Sequence, residues 1–496
     1  MSSTPLVAVD VHGERASGLR RVLTNALSLL LAYILPKLLT LGAIVTAARV
    51  LGVSGFGQYG TAAAFAVILS IAATLGMQPL LIREMARAPG AAADWLRSAH
   101  VVKSLSNLLM LGLLILLSGA PLMDYPLQVR LAALLLGVSY AVGAYAENLA
   151  AWFQSVERME VWMQASAAAG LVTGALGALL VLLTQSVVAF CAAPLFGQIA
   201  ALTWLALRMP RALHGGSASR ASVQRLLRSL APFAAGFIAI TLHSKIAVPL
   251  LARWWPPAEV GLYTAAYKFV DLVQALAVVG AAAVYPRLAR AAAAHHAATR
   301  LIEITLLAGV LAGGTLWLAR VDVVHLLFGG SFAGAAPPAA IFAIAIAPLA
   351  INIAGGYVLA AAGEIRRVAV LYSVAITVKV GLITALVPSR GATGAALAML
   401  ITEALLALGM LAVLHRRAGV TAGARTWSSA ALALVACATV FLLRGPLSGL
   451  AAGFVYALAA PVLFSVTGGV PRSDWNLLRA ALRPGTARPA RAARAE

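Results

Sequence analysis

ARVLGVSGFGQYGTAAAFAVILSIAATLGMQPLLIREMAR, residues 48–87, decides the fold, because it returns in altered form 204 residues later. At that offset Ala48-Arg49 falls on Ala252-Arg253, Gly57 on Gly261, Tyr59 on Tyr263, Phe65 on Phe269, Gly76 on Gly280 and Arg83 on Arg287. A coincidence built on two Arg and a Tyr stands out from a background made mostly of Ala and Leu. Both copies share one grammar: an Arg closing an apolar segment, a short Gly-containing turn, a Tyr, a second apolar segment, an Arg. That pattern predicts a duplicated membrane-transport unit.

The rest of the chain sets the environment. It is 62% hydrophobic and 11% charged, with mean hydropathy +0.93, where a soluble domain is about half apolar and a quarter charged. An all-α polytopic membrane protein is expected. The formal charge of +21 would suggest nucleic acid in a soluble chain, but most of the Arg lies between apolar segments, where basic residues hold loops in the cytoplasm. Two cysteines, Cys191 and Cys437, make neither a disulfide framework nor a metal site. The first apolar run, about residues 24–46, is too long for a signal-peptide core and is expected to stay as a helix.

A crossing helix needs about 20 mostly apolar residues. Fourteen such segments are expected: 24–46, 58–79, 98–118, 130–150, 163–184, 187–207, 230–252, 260–285, 301–319, 338–361, 368–388, 391–414, 427–443 and 447–467. The loops expected on the side of both termini carry 26 Arg and the opposite loops six, so the termini are expected in the cytoplasm. The implied organisation is a cytoplasmic segment 1–23, a six-helix lobe 24–207, a linker 208–229, a second six-helix lobe 230–414, an added pair 427–467 and a basic, disordered tail 468–496. Six is even, so the lobes insert in the same sense, with a cleft between them. A weaker echo pairs Glu157 with Glu364.

All five lysines fall inside apolar segments. A lysine at the centre of a lipid-facing helix costs roughly 2.5–3.5 kcal/mol on insertion scales, so such residues turn inward. Lys37, Lys245, Lys268 and Lys379 are expected to line a wet cationic cavity, with the repeat mates Arg49 and Arg253 at its outer mouth either as substrate contacts or as headgroup anchors. Lys103, near a cytoplasmic end, is expected to snorkel. Three membrane acids, Asp271, Glu147 and Glu403, are candidates for ion coupling. Asp271 follows Lys268 by three, which predicts a local pair, whereas Glu147 and Glu403 have no partner visible in sequence. His243 lies 200° around its helix from Lys245 at 100° per residue, so it is expected to pack between helices rather than act as a proton switch. Pro36 and Pro249 should kink the first helix of each lobe. The string GVSGFG, Gly52–Gly57, has no βαβ context and is not a nucleotide loop. Outward loops are short and carry only scattered acids, which argues against a membrane glycosyltransferase or polymerase; no enzyme activity, cofactor or metal is expected.

RVLGVSGFGQYGTAAAF (Arg49–Phe65) and LGMQPLLIREMAR (Leu75–Arg87), with AWFQSVERME (Ala151–Glu160), EVGLYTAAYKF (Glu259–Phe269) and LLFGGSFAGAA (Leu326–Ala336), resemble Wzx-type polysaccharide flippases of the multidrug/oligosaccharidyl-lipid/polysaccharide (MOP) exporter superfamily. The resemblance covers most of residues 20–415. It implies an inner-membrane flippase that moves an undecaprenyl-diphosphate-linked oligosaccharide to the periplasmic leaflet by alternating access. It also implies coupling to a gradient of H+ or Na+, and a polysaccharide polymerase and chain-length regulator as partners. Two alternatives remain: a drug/cation antiporter of the same fold, and a membrane polymerase or glycosyltransferase.

Overall fold

The computed structural model describes residues 11–119, 125–288, 294–443, 445 and 448–469, with side chains from residue 39 onward except at 117–119, 214, 231–233, 282–283, 285–287 and 294. The Lys37 side chain and the tail from residue 470 therefore lie outside the described parts. Among the described residues the chain is helical throughout, with no strand. Twelve helices are long and apolar enough to cross a membrane.

The first half contains α1 (Val11–Thr74), the short α2 (Met77–Arg87), α3 (Ala92–Gly119), α4 (Leu127–Ser155), α5 (Met159–Thr184) and α6 (Val187–Arg208). The second contains α7 (Arg220–Lys245), α8 (Ala247–Trp254), α9 (Pro257–Leu288), α10 (Ala294–Phe328), α11 (Ala336–Ala361) and α12 (Ile365–Ala418), followed by α13 (Ala424–Leu443) and α14 (Gly449–Val466). A straight 64-residue rod would run about 96 Å, some three times the hydrocarbon thickness. Instead α1 breaks at Gly52, at φ 67 and ψ −178, a conformation open to glycine and strained for any other residue. α12 breaks likewise at Gly391, φ 50, where Glu259 Oε2 accepts from the freed N–H of Ala392 at 3.0 Å. Each broken helix thus supplies two of the expected segments. The expected linker is shorter than its sequence suggested: a 3-10 turn occupies Arg211–Gly215 and α7 already starts at Arg220, with Ser219 accepting from Ser222 N at 3.1 Å.

The duplication is visible in backbone detail. α4 ends in a turn in which Arg158 N bonds Phe153 O at 2.8 Å, and α11 ends in the same turn, with Glu364 N on Leu359 O at 2.8 Å. These are Schellman turns, and their left-handed residues are Glu157 (φ 59) and Gly363 (φ 78). The structure therefore pairs Glu157 with Gly363, correcting the Glu157–Glu364 register by one residue. α13 and α14 pack on α10, which holds them at both ends. Glu303 accepts from Gly423 N (3.1 Å) and Thr426 Oγ1 (3.0 Å), and Asp322 accepts from Leu450 N (2.9 Å).

The halves meet where the repeated stretch meets itself. A Cβ on Gly57 would lie 1.7 Å from Pro257 O, and one on Gly261, its repeat mate, 2.0 Å from Val53 O. One turn further, a Cβ on Gly60 would lie 2.3 Å from Thr264 Oγ1. Such backbone approach is the small-residue packing that membrane helices use where no hydrophobic force draws them together. Beside the crossing, fully buried Phe56 packs against Phe328 and Phe332 with ring centroids 6.2 and 5.9 Å away. Gly57→Val is expected to pry the halves apart at this end. Spin labels at the exposed positions Gln185 and Val321, with Cys191 and Cys437 replaced, should show a longer interlabel distance than in the parent protein.

Candidate functional site

α7 breaks before Pro249, which has no N–H to offer the carbonyl of Lys245, so α7 ends at Lys245 and α8 restarts at Ala247. The break turns Lys245 toward α9, where Lys268 and Asp271 stand one turn apart. Lys245 Nζ donates to Asp271 Oδ1 at 3.3 Å and Lys268 Nζ to Asp271 Oδ2 at 3.3 Å. Two ammonium groups thus share one carboxylate, a net single positive charge. The three side chains keep 28%, 18% and 29% of their surface accessible. Lys245 also lies 4.8 Å from the Tyr267 ring centroid, and Lys268 lies 6.0 Å from that of Tyr59, which belongs to the other half.

Tyr140 of α4 lies within electrostatic reach of Lys245, Asp271 and Tyr59 and is 38% exposed. Aromatic side chains of α1 and α4 in the first half thus stand near the part-exposed charged triad of α7 and α9 in the second.

A second charged cluster is closed. Lys379 of α12 is 1% exposed and donates to the carbonyl of His243 at 2.6 Å, at the carbonyls loosened by the α7 break; the neighbouring Ser244 carbonyl accepts from Tyr267 Oη at 3.3 Å. Glu403, 3% exposed, takes His243 Nε2 at 2.9 Å on one oxygen and Asn352 Nδ2 at 2.7 Å on the other. The expectation that Lys379 lines the cavity is thus replaced by a dry pairing: its chain reaches the broken helix, and the Glu403 charge nearby compensates it.

The other candidates fall elsewhere. Lys103 does not snorkel: it is 0% exposed, bonded to Thr74 O at 3.3 Å and to Glu147 Oε2 at 3.4 Å, because Glu147 of the neighbouring helix offers a nearer counter-charge than the headgroups. Glu147 therefore has a partner that sequence could not show. Arg49 crosses between the halves, donating through Nε to Leu327 O at 2.9 Å and through Nη2 to Leu326 O, at the carbonyl end of α10. Its repeat mate Arg253 stays exposed, within electrostatic reach of Tyr125. Among the described residues no group of His, Cys, Asp or Glu is placed to hold a metal ion. Sequence reasoning did not single out Tyr59, Tyr140 or Asn352 as site residues. Asn352, a lone amide in the apolar run PLAINIAGG, was the one detectable signal.

A family model described as polysaccharide biosynthesis protein matches residues 22–292, more than half of the chain. The chain belongs to the polysaccharide biosynthesis protein family. Nothing among the curated proteins matches this family member. Its fold is similar to that of the lipid II flippase MurJ in an inward closed conformation, at 13% identity and TM-score 0.73, covering 90% of this chain and 99% of that one. It is also similar to an inward-facing multidrug resistance MATE family transporter of the MOP superfamily (16%, 0.60, 79% and 98%). A third likeness is to a MOP superfamily transporter from Pyrococcus furiosus (15%, 0.56, 80% and 95%). At these identities the likeness is one of fold. The chain is thus a multi-pass membrane protein of the polysaccharide biosynthesis protein family, with a fold like that of flippases and transporters.

Removing one partner of a buried charge pair strands the other and typically costs about 3–5 kcal/mol. Glu403→Ala is accordingly expected to lower stability by about that amount, and adding Lys379→Met should recover part of the loss. Unfolding titrations of the two single variants and the double variant in detergent measure this coupling.

Proposed function

We propose that this protein is a flippase for polyprenyl-diphosphate-linked oligosaccharide repeat units, undecaprenyl-diphosphate-linked in a bacterial inner membrane, with both termini in the cytoplasm. The observation that carries the reading is the part-exposed Lys245–Asp271–Lys268 triad beside Tyr59 of the other half; in this reading the space it faces is the cargo hollow. A diphosphate brings about two negative charges to a site where each close charge pair is worth about 4 kcal/mol at an effective dielectric near 20. Asp271 then acts as a placeholder: it neutralises the two ammonium groups in the empty protein and yields them to the phosphates, which accept the same hydrogen bonds with more charge. The aromatic wall formed by Tyr59 and Tyr140 offers the apolar faces and hydroxyls that sugars use. The prenyl tail stays in the bilayer.

Alternating access supplies the movement. The Gly57–Gly261 crossing and the Arg49 bridge shut one end of the hollow, and their separation would open it. An ion gradient, H+ or Na+, would drive the cycle, and a polymerase with its chain-length regulator would take the product. A drug/cation antiporter fits the site less well, because a cationic cargo would meet two ammonium groups and one carboxylate.

Two measurements test the reading. Lys245→Ala and Lys268→Ala should each weaken pyrophosphate binding to the purified protein by about tenfold, 1.4 kcal/mol, and Asp271→Asn should strengthen it. Both lysine variants should insert normally yet fail to restore polymer export in a host lacking its own flippase. Export at the parental level from both would overturn the assignment.

A further inference from the structure

The buried cluster around His243 holds an atom with nothing to do. Glu403 accepts from Asn352 Nδ2 on one oxygen and stands at 2.9 Å from His243 Nε2 with the other; with the carboxylate as the acceptor of that contact, Nε2 carries its hydrogen. That tautomer leaves Nδ1 as a bare acceptor. It is buried, His243 being 2% exposed, and it has no hydrogen-bond partner; neither has Oδ1 of Asn352. Buried acceptors are normally satisfied, and a vacant basic nitrogen beside a carboxylate is chemically a proton site.

The groups facing it define what it can bind. From α12 come the Lys379 ammonium, the edge of the Tyr372 ring at 5.5 Å between centroids, and the Glu403 carboxylate. α11 contributes Asn352. Lys245, two residues along α7, lies within electrostatic reach of Lys379, and Tyr263 and Tyr267 of α9 lie within reach of Glu403. Both carboxylate oxygens already accept from N–H donors, and an ammonium stands beside them. A metal cation would find a single unpartnered oxygen there, the Asn352 amide, and a like charge next to it. A proton needs only the lone pair.

We propose that Nδ1 of His243 is the proton-loading atom of a coupling site in the second half, and that its loading favours separation of the halves at the Gly57–Gly261 crossing. With Lys379 and Glu403 charged and His243 neutral, the closed cluster carries no net charge. One added proton makes it a buried monocation, which a dry interior penalises and a wetted one tolerates. Any conformer that admits water therefore binds the proton more tightly, and by linkage the proton favours that conformer. The lever is at hand, because the His243 carbonyl held by Lys379 lies at the break in α7, two residues before Lys245 of the triad. An imidazolium drawn toward Glu403 competes with Lys379 for that carboxylate, loosens the hold on the broken helix and shifts Lys245. The proton only binds and leaves; no bond to cargo forms. The proposal rests on the alternating-access part of the flippase reading and not on its cargo.

The test is the distance between spin labels at Gln185 and Val321 in the full chain reconstituted in nanodiscs, followed by double electron–electron resonance from pH 8 to pH 5 without cargo. The expected result is a growing long-distance population at low pH, its ratio to the short one changing by up to about tenfold per pH unit, the limit for one proton. His243→Gln keeps a donor for Glu403 and removes the titrating atom; it should fold and hold one distance across the range. A His243→Gln protein that tracks pH as the parent does, or labels that move with sodium at fixed pH and not with pH, would overturn the proposal. Should that variant not fold, nitrogen-15 imidazole spectra of a chain whose other histidines are replaced decide the matter. The ring should change from neutral to cationic where the labels move, and a ring neutral throughout sinks the idea. Pyrophosphate binding and polymer export are read separately, so a failed cargo assignment leaves this result standing and the reverse.

Discussion

A charge inside a bilayer-spanning bundle has to be answered by another charge or by a freed backbone group, and that requirement orders the interior of this protein. Lys103 meets Glu147 and the Thr74 carbonyl. Lys245 and Lys268 converge on Asp271, and Lys379 reaches the His243 carbonyl with Glu403 beside it. Each pairing ties two helices, or three, that apolar contact alone would leave free to slide, since lipid tails solvate apolar side chains as well as protein does. The pairings differ in one respect that matters. The triad is part open, with two cations to one anion, whereas the other two contain a nearly inaccessible lysine. Openness and unequal charge together mark the place where an anion has something to gain.

The duplicated framework has been specialised unevenly. Schellman turns end α4 and α11 alike, and left-handed residues, Gln185 and Gly391, break the chain at corresponding places in the two halves. Gly57 and Gly261 face each other across the pseudo-symmetric crossing. The chemistry is not duplicated. Arg49 bridges the halves while Arg253 remains exposed. The triad and the His243 cluster both belong to the second half, joined through the break in α7. The first half contributes the aromatic side chains Tyr59 and Tyr140 and a pair in which buried Lys103 meets part-exposed Glu147.

Much of this was legible in the residues. Apolar runs of membrane length dictate helices because no other backbone arrangement satisfies its own hydrogen bonds in lipid, and the repeat at Arg49–Tyr59 and Arg253–Tyr263 announces a duplicated unit. The Lys268–Asp271 pair follows from helical spacing, and the opposed faces of His243 and Lys245 follow from 100° per residue; the structure makes the first buried and the second accessible. The sequence pattern overlooked the helical start of α7 at Arg220, because polar loop composition and the first turns of an amphipathic helix look alike.

Sequence alone determined that these charges lie within the membrane and face inward, because their transfer cost is a property of the residue and its depth. It could not determine which of them meet. Lys103 and Glu147 are 44 residues apart, His243 and Glu403 are 160 apart, and periodicity carries no information across such separations. Nor could it say that Lys379 is sealed while Lys245 is open. That distinction depends on which helix faces are covered, and it was decided only when α7, α9, α11 and α12 packed on one another, sealing Lys379 against His243 and leaving Lys245 part exposed.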